Sequence, residues 1–210
     1  MILHGYWRSS ATYRVRIALN LKGLDAETVG HDLRTGAQND PAYLARNPQG
    51  LVPSIETEQG VIGQSLAILE WLDETHPEPP LLPADPFERA QVRAMAQVVA
   101  CDTHPLQNLR VLKRLKTEYG LDDAAVQGWA RGWIESGLEA LEALVARHGR
   151  GWSFGDRPGL ADCCLIPQLY NARRFEASLE SYPHLLAIEA RAAAHPAFQA
   201  ALPERQPDAG

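Results

Sequence analysis

Ser9-Ser10-Ala11-Thr12 puts three hydroxyls into four residues, directly after Arg8 and directly before an apolar pattern with a spacing of four (Val15 and Leu19, Ile17 and Leu21). Ile2, Leu3 and Tyr6 ahead of it read as a short buried strand and Gly23 as a helix stop, so the hydroxyls occupy a strand-to-helix turn. Such a turn offers unpaired backbone N–H groups, hydroxyl donors and the positive end of a helix dipole to an anion. No phosphate-loop glycine pattern is present. A nucleotide therefore fits poorly, and a thiolate or carboxylate fits better. Gln64-Ser65 heads a second periodic run (Leu66, Ile68, Leu69, Trp71, Leu72). There a helix N-terminus suits a carboxylate, and serine is also a common N-cap. Cys101 and His104 share a helix face, as a metal pair would, but no further ligand follows at a recognisable spacing, so no metal is expected.

These groups need elements to hold them. After the first helix, 26–31 reads as a second strand and 32–47, broken by Gly36 and Pro41, as loop plus a short helix. Pro48 and Gly50 mark a turn. Val52-Pro53 leads into a strand at 54–57, Glu58-Gln59-Gly60 turns it into a short strand at Val61 and Ile62, and a helix follows from Gln64-Ser65. This β-α-β-α-β-β-α order predicts a thioredoxin-like domain over residues 1–76. Val52-Pro53 resembles that fold's cis-proline entry, which leaves the Val52 N–H and C=O to pair with an extended peptide. The Cys-x-x-Cys site of the fold is absent, because residues 9–12 contain no sulfur. The turn cannot run thiol–disulfide exchange, but it can hold an external thiol.

Residues 77–86 carry Pro77, Pro79, Pro80, Pro83 and Pro86 and read as a semi-rigid linker. Beyond it, 87–210 reads as an all-helical domain. It comprises a long helix over 87–119 kinked at Pro105, and a second over 122–148 burying Trp129, Trp133, Leu138, Leu141 and Leu144. A third runs from Leu160 to Phe175, and one or two short helices follow over 183–202. Chain length allows one sizeable domain or two small ones. A net charge of −6 with 22% charged residues argues against nucleic acid as a partner. No basic-then-apolar leader opens the chain and no apolar run reaches membrane-spanning length. Three cysteines, two of them adjacent (Cys163, Cys164), form no disulfide framework, so a reduced, cytoplasmic protein is expected.

Ser9-Ser-Ala-Thr-Tyr-Arg-Val-Arg16 resembles the Ser-Ser-Cys-Ser-x-Arg-Val-Arg signature of zeta-class glutathione transferases, a class that includes maleylacetoacetate and maleylpyruvate isomerases. Asn47–Pro53, Gln64-Ser65 and Cys101–Arg110 carry further resemblance. The resemblance implies the soluble glutathione transferase fold, a thioredoxin-like domain followed by an all-helical one, with glutathione as cofactor. It makes Ser9 the principal donor to the glutathione thiol, with Ser10 or Thr12 contributing, since Ala11 replaces the family's cysteine. Val52 and Pro53 would meet the cysteinyl portion and Gln64 and Ser65 the γ-glutamyl end, and Gln49, His104 and Asn108 would add glutathione contacts. Asp102 would reach the glutamyl ammonium of the other subunit in a homodimer. Arg8, Arg110 and one of Arg173 and Arg174, here assigned to Arg174, would hold the carboxylates of a small dicarboxylate. Arg14 and Arg16 are read as structural. Gly159 replaces the hydroxyl of the family's helix-capping box, leaving Asp162.

The implied reaction is a glutathione-dependent cis–trans isomerisation of a maleyl-keto acid in aromatic catabolism. Thiolate addition turns the double bond into a rotatable single bond, and elimination leaves the fumaryl isomer. Two other readings use the same fold: a transferase acting on α-haloacids or other small electrophiles, and a non-catalytic glutathione-binding module.

Overall fold

In the computed structural model, which describes residues 1–209, Leu3 at the centre of strand β1 (Ile2–Gly5) lies opposite Thr28 of β2 (Glu27–Gly30) and Ile55 of β3 (Ser54–Thr57). The β1–β2 pair is parallel, and β4 (Gly60–Gly63) closes a hairpin with β3, giving the sheet order β2-β1-β3-β4. A parallel pair needs a crossover, and helix α1 (Ser10–Leu21) supplies it. Residues 10–19 of α1 are buried all round, Val15, Ile17, Ala18 and Leu19 among them, and the helix packs against α3 (Ser65–Thr75), which buries Ile68, Leu69 and Leu72. The short α2 (Pro41–Leu44) lies between β2 and β3. A Cβ on Gly5 would fall 2.4 Å from Thr12 Cγ2. Only glycine lets the strand end run this close under the start of α1. The order of elements is the thioredoxin-like one that the pattern predicts.

At the far end of α1, Lys22 Nζ donates to Asp73 Oδ1 at 2.9 Å and to the carbonyls of His76 and Pro79, while Asp73 Oδ1 also accepts from Leu81 N–H at 2.7 Å. A buried ion pair with its remaining valences filled by backbone can bear its desolvation. Here it fastens the start of the proline-rich stretch to α1 and α3.

The contacts divide the chain into two units: 1–81 together with the segment from Ala193 onward, and Leu82–Ala192. The division therefore falls inside the expected linker, and the last part of the expected 87–210 domain groups with the first unit. Specific bonds explain this grouping. Arg16 Nε donates to the Ala201 carbonyl at 3.1 Å, Asn20 Nδ2 to the Ala197 carbonyl at 2.9 Å, and Trp7 N–H to Asp208 Oδ2 at 2.9 Å. Ala197 and Phe198 of α9 (Pro196–Ala200) are buried there.

In the second unit, α4 (Pro86–Gln97) packs against α7 (Leu160–Arg174), and α5 (Leu109–Tyr119), α6 (Asp123–His148) and most of α8 (Pro183–Ala193) complete it. The single kinked helix expected over 87–119 is instead three pieces. A π-helical turn at Val98–Thr103 and a 3₁₀ turn at His104–Gln107 separate α4 from α5. Pro105 lacks an N–H to continue the ladder, Thr103 Oγ1 bonds back to the Val98 carbonyl at 2.8 Å, and Asn108 caps a new helix through Arg110 N–H at 3.1 Å. The buried stripe of α6 is Val126, Ala130, Ile134, Leu138, Leu141 and Val145. Trp129 and Trp133, expected inside, lie one position off that stripe and are 37% and 41% exposed. Trp129 stays there because its indole N–H reaches the Leu106 carbonyl at 2.8 Å. A polar tip on a large ring favours such an edge position over full burial. Leu144 is half-buried, and Cys163 and Cys164 are buried in α7 as inert core.

Candidate active site

The turn after β1 places Ser9 as the N-cap of α1, with extended backbone (φ −69°, ψ 119°) and Oγ accepting from Thr12 N–H at 3.2 Å. That bond uses an oxygen lone pair and leaves the hydroxyl proton, which has no acceptor among the described residues. The Ser10 and Ala11 N–H groups likewise have none. Three donors thus sit at the positive end of a three-turn helix, which is an anion site. Thr12, expected as a possible contributor, is fully buried with its methyl against Gly5, so its hydroxyl is not presented to a ligand. Ser10 is also buried, at 6% exposure. Arg8 is half-buried, its guanidinium 5.4 Å from the Trp7 ring centroid.

The second anion position is the start of α3. Gln64 precedes it with φ 66°, a value that costs a non-glycine residue about 1–3 kcal/mol. No side chain caps the first turn of α3. Ser65 is buried, and its Oγ accepts from Nη1 of the buried Arg14 at 3.0 Å. Arg14, read from sequence as merely structural, thereby joins the helix that carries the Ser9 turn to the Gln64-Ser65 pair. Gln64 Nε2 donates to Gln49 Oε1 at 2.7 Å, bringing these two expected contacts side by side.

Between them runs the 47–53 segment. Gly50 (φ 61°) turns it, and the Leu51 carbonyl accepts from Asn47 Nδ2 at 2.7 Å and from the Tyr43 hydroxyl at 2.6 Å. Val52-Pro53 is cis, and among the described residues nothing bonds to the Val52 N–H or C=O. Asn47 and Tyr43 were missed by sequence reasoning. The signal was available, since Asn47 begins the very turn that Pro48 and Gly50 mark.

In the second unit, the π and 3₁₀ turns between α4 and α5 carry Asp102 and His104, and Asn108 is the N-cap of α5. Asp102 is exposed and His104 and Asn108 are half-exposed. Arg110, in the first turn of α5, is exposed. Arg174 ends α7, where Nη1 donates to Asn171 Oδ1 at 3.0 Å. Its neighbour Arg173 is engaged by Glu189 through Nε at 3.1 Å and through Nη2.

Two family profiles match the chain: "Glutathione S-transferase, N-terminal domain" over residues 3–80 and "Glutathione S-transferase, C-terminal domain" over residues 123–200. The chain belongs to the glutathione S-transferase family. It is 48% identical to the maleylacetoacetate isomerase of Pseudomonas aeruginosa, over 99% of this chain and 98% of that one. It is similar to the holo structure of a maleylpyruvate isomerase, a bacterial zeta-class glutathione S-transferase, with TM-score 0.97, 45% identity and full coverage of both chains. A maleylacetoacetate isomerase from Anaeromyxobacter dehalogenans, solved with bound dicarboxyethyl glutathione and citrate, matches with TM-score 0.89 and 46% identity. That match covers 100% of this chain and 93% of the other.

The residues present fit glutathione. A tripeptide thiol needs donors for a thiolate, a backbone edge for its central residue and a positive site for its terminal carboxylate. The Ser9 turn, Val52 and the uncapped start of α3 have those properties. Among the described residues no helix is long and apolar enough to cross a membrane.

Proposed function

We propose that this chain is a glutathione-dependent cis–trans isomerase that converts a maleyl-keto acid, maleylacetoacetate or maleylpyruvate, to its fumaryl isomer. The observation that carries the reading is the start of α1, where the Ser9 hydroxyl proton and the Ser10 and Ala11 N–H groups converge with no acceptor of their own. When bound, glutathione supplies a thiolate that adds reversibly to the cis double bond and leaves unchanged. The Ser9 donor and the α1 dipole stabilise negative charge on sulfur and lower a thiol pKa that is otherwise about 8.5. Ser10 contributes through its N–H. Val52 and Pro53 present a backbone edge to the cysteinyl residue, with Gln49, Gln64 and Ser65 taking the γ-glutamyl end. His104 and Asn108 supply further contacts to glutathione. Asp102, exposed on its own subunit, serves the glutamyl ammonium bound by the partner of a homodimer.

Arg8, Arg110 and Arg174 hold the substrate carboxylates and the charge that develops on its carbonyl oxygen. Dicarboxyethyl glutathione, as bound by the Anaeromyxobacter relative, joins two carboxylates to the glutathione sulfur, and this favours a clamp for a dicarboxylate over a haloacid site. A spectrophotometric assay with each maleyl acid, with and without glutathione, tests the reading. Glutathione-dependent loss of the cis acid with no net thiol consumption supports it. A stable adduct that consumes thiol one for one would place the protein among the transferases instead.

A further inference from the structure

Two buried side chains converge on one main-chain oxygen just ahead of Val52. The Tyr43 hydroxyl donates to the Leu51 carbonyl at 2.6 Å and Asn47 Nδ2 donates to it at 2.7 Å, so both lone pairs of that oxygen are used. A phenol has a single proton, and here the Leu51 carbonyl takes it. The 3.0 Å contact between the Tyr43 oxygen and Ser54 Oγ is therefore a bond that Ser54 donates. Asn47 Oδ1 accepts from Gln49 N–H at 3.3 Å, which decides how the Asn47 amide faces and leaves its amino group for Leu51. The Tyr43 ring itself packs on His31, with 4.2 Å between ring centroids.

This arrangement orients a donor as well as a carbonyl. The Leu51–Val52 peptide bond is trans. A trans peptide unit is planar, and its C=O and N–H point in opposite directions. Holding the Leu51 oxygen against Tyr43 and Asn47 therefore aims the Val52 N–H away from them. Nothing among the described residues accepts from that N–H. Pro53, next in the chain, has no N–H, so Val52 supplies the one main-chain donor between Leu51 and Ser54. Turning this peptide plane would break both bonds to the Leu51 oxygen together. Asn47 also stands behind Gln49, whose Oε1 accepts from Gln64 Nε2 at 2.7 Å.

We propose that Tyr43 and Asn47 are positioning residues: by pinning the Leu51 carbonyl they hold the Val52 N–H aimed at the central carbonyl of a bound tripeptide thiol. This inference rests on the reading of Val52 as the edge that pairs with glutathione.

The test uses Tyr43→Phe and Asn47→Asp in the full-length protein, with two probes titrated calorimetrically. One is glutathione. The other is an analogue in which the cysteinyl carbonyl is a methylene, so that the Val52 N–H has no acceptor on it. Tyr43→Phe keeps the ring on His31 and should weaken glutathione binding about fivefold, the effect of one neutral hydrogen bond. Asn47→Asp keeps an oxygen for Gln49 N–H but sets an acceptor beside the Leu51 oxygen, and should weaken it about tenfold. Neither should change the Kd of the methylene analogue. In the isomerisation assay the glutathione KM should rise in both variants, with kcat at saturating glutathione unchanged.

Equal weakening of the two probes would reduce Tyr43 and Asn47 to packing and overturn the proposal. Variants that bind glutathione as tightly as the parent protein would also overturn it, while leaving the glutathione reading intact. Failure of the parent protein to bind glutathione would remove that reading, and the proposal with it. If Asn47→Asp does not fold, the ratio of the two affinities in Tyr43→Phe decides the matter.

Discussion

Ser9 Oγ accepts from Thr12 N–H at 3.2 Å while its proton remains available, so one hydroxyl can serve both the helix and a ligand. The two roles respond differently to substitution. Ser9→Ala removes the cap, which costs about 1 kcal/mol of stability. It also removes the donor to sulfur. The expected result is a fall in kcat of at least about tenfold at neutral pH, with the ionisation in the pH–rate profile moving up toward about 8.5, the value of a free thiol. Ser9→Thr should retain most of both properties. A pH–rate profile unchanged in Ser9→Ala would transfer the role to the Ser10 and Ala11 N–H groups. This residue was legible from sequence because capping is local: hydroxyl type, position and following periodicity lie within a dozen residues. Arg14 and Asn171 were not, because their partners lie 51 and 64 positions away in Ser65 and Gln107.

Helix α7 starts without a side-chain cap at Gly159, and Asp162 in its first turn takes over that work. Asp162 Oδ2 accepts from Gly159 N–H at 2.9 Å and Oδ1 from Ser153 N–H at 2.8 Å, tying the preceding loop to the helix. Burial raises its pKa to about 6, against the downward pull of those N–H donors. Because the folded value lies above the unfolded one, the folded protein binds the extra proton between about pH 4 and pH 6. Stability from this group is therefore fully present below that window and is lost as pH rises through it. The expected loss is about 3 kcal/mol across the window, absent in Asp162→Asn. Denaturant midpoints of both proteins at pH 4.5 and pH 7 check this, and a pH-independent difference between them would mean that Asp162 stays ionised throughout. Asp162 itself was recognisable from its capping position, but its protonation depends on burial, which spacing does not report.

At the scale of the whole molecule, the returning chain end is the feature that linear reading misplaced. Asp208 accepts the Trp7 N–H at 2.9 Å, and Arg16 links the Trp7 carbonyl at 2.9 Å to the Ala201 carbonyl at 3.1 Å. Residues near the C-terminus thus brace the backbone just ahead of Arg8 and Ser9. Asp208→Ala should lower stability by about 1–2 kcal/mol, the usual consequence of leaving one such donor unpaired. It should also raise the KM for glutathione, whereas Asp208→Asn, which keeps an acceptor oxygen, should do neither. Thermal denaturation and glutathione KM for the pair check it. Equal behaviour of the two variants would make the contact incidental to the turn.

What the sequence determined by itself was whatever depends on neighbours along the chain: the β-α-β-α-β-β-α order, the hydroxyl turn, the Val52-Pro53 entry, the Gln64-Ser65 helix start and the resemblance that these motifs carry. Tertiary structure decided the rest. It exposed Trp129 and Trp133, divided 87–119 into three pieces, withdrew Thr12 behind Gly5 and assigned the chain end to the first unit. It also committed Arg173 to Glu189 and brought Arg174 against Asn171. Periodicity reports which face of an element is apolar, but hydrogen-bond partners and burial are set by surfaces that meet only once the chain has folded.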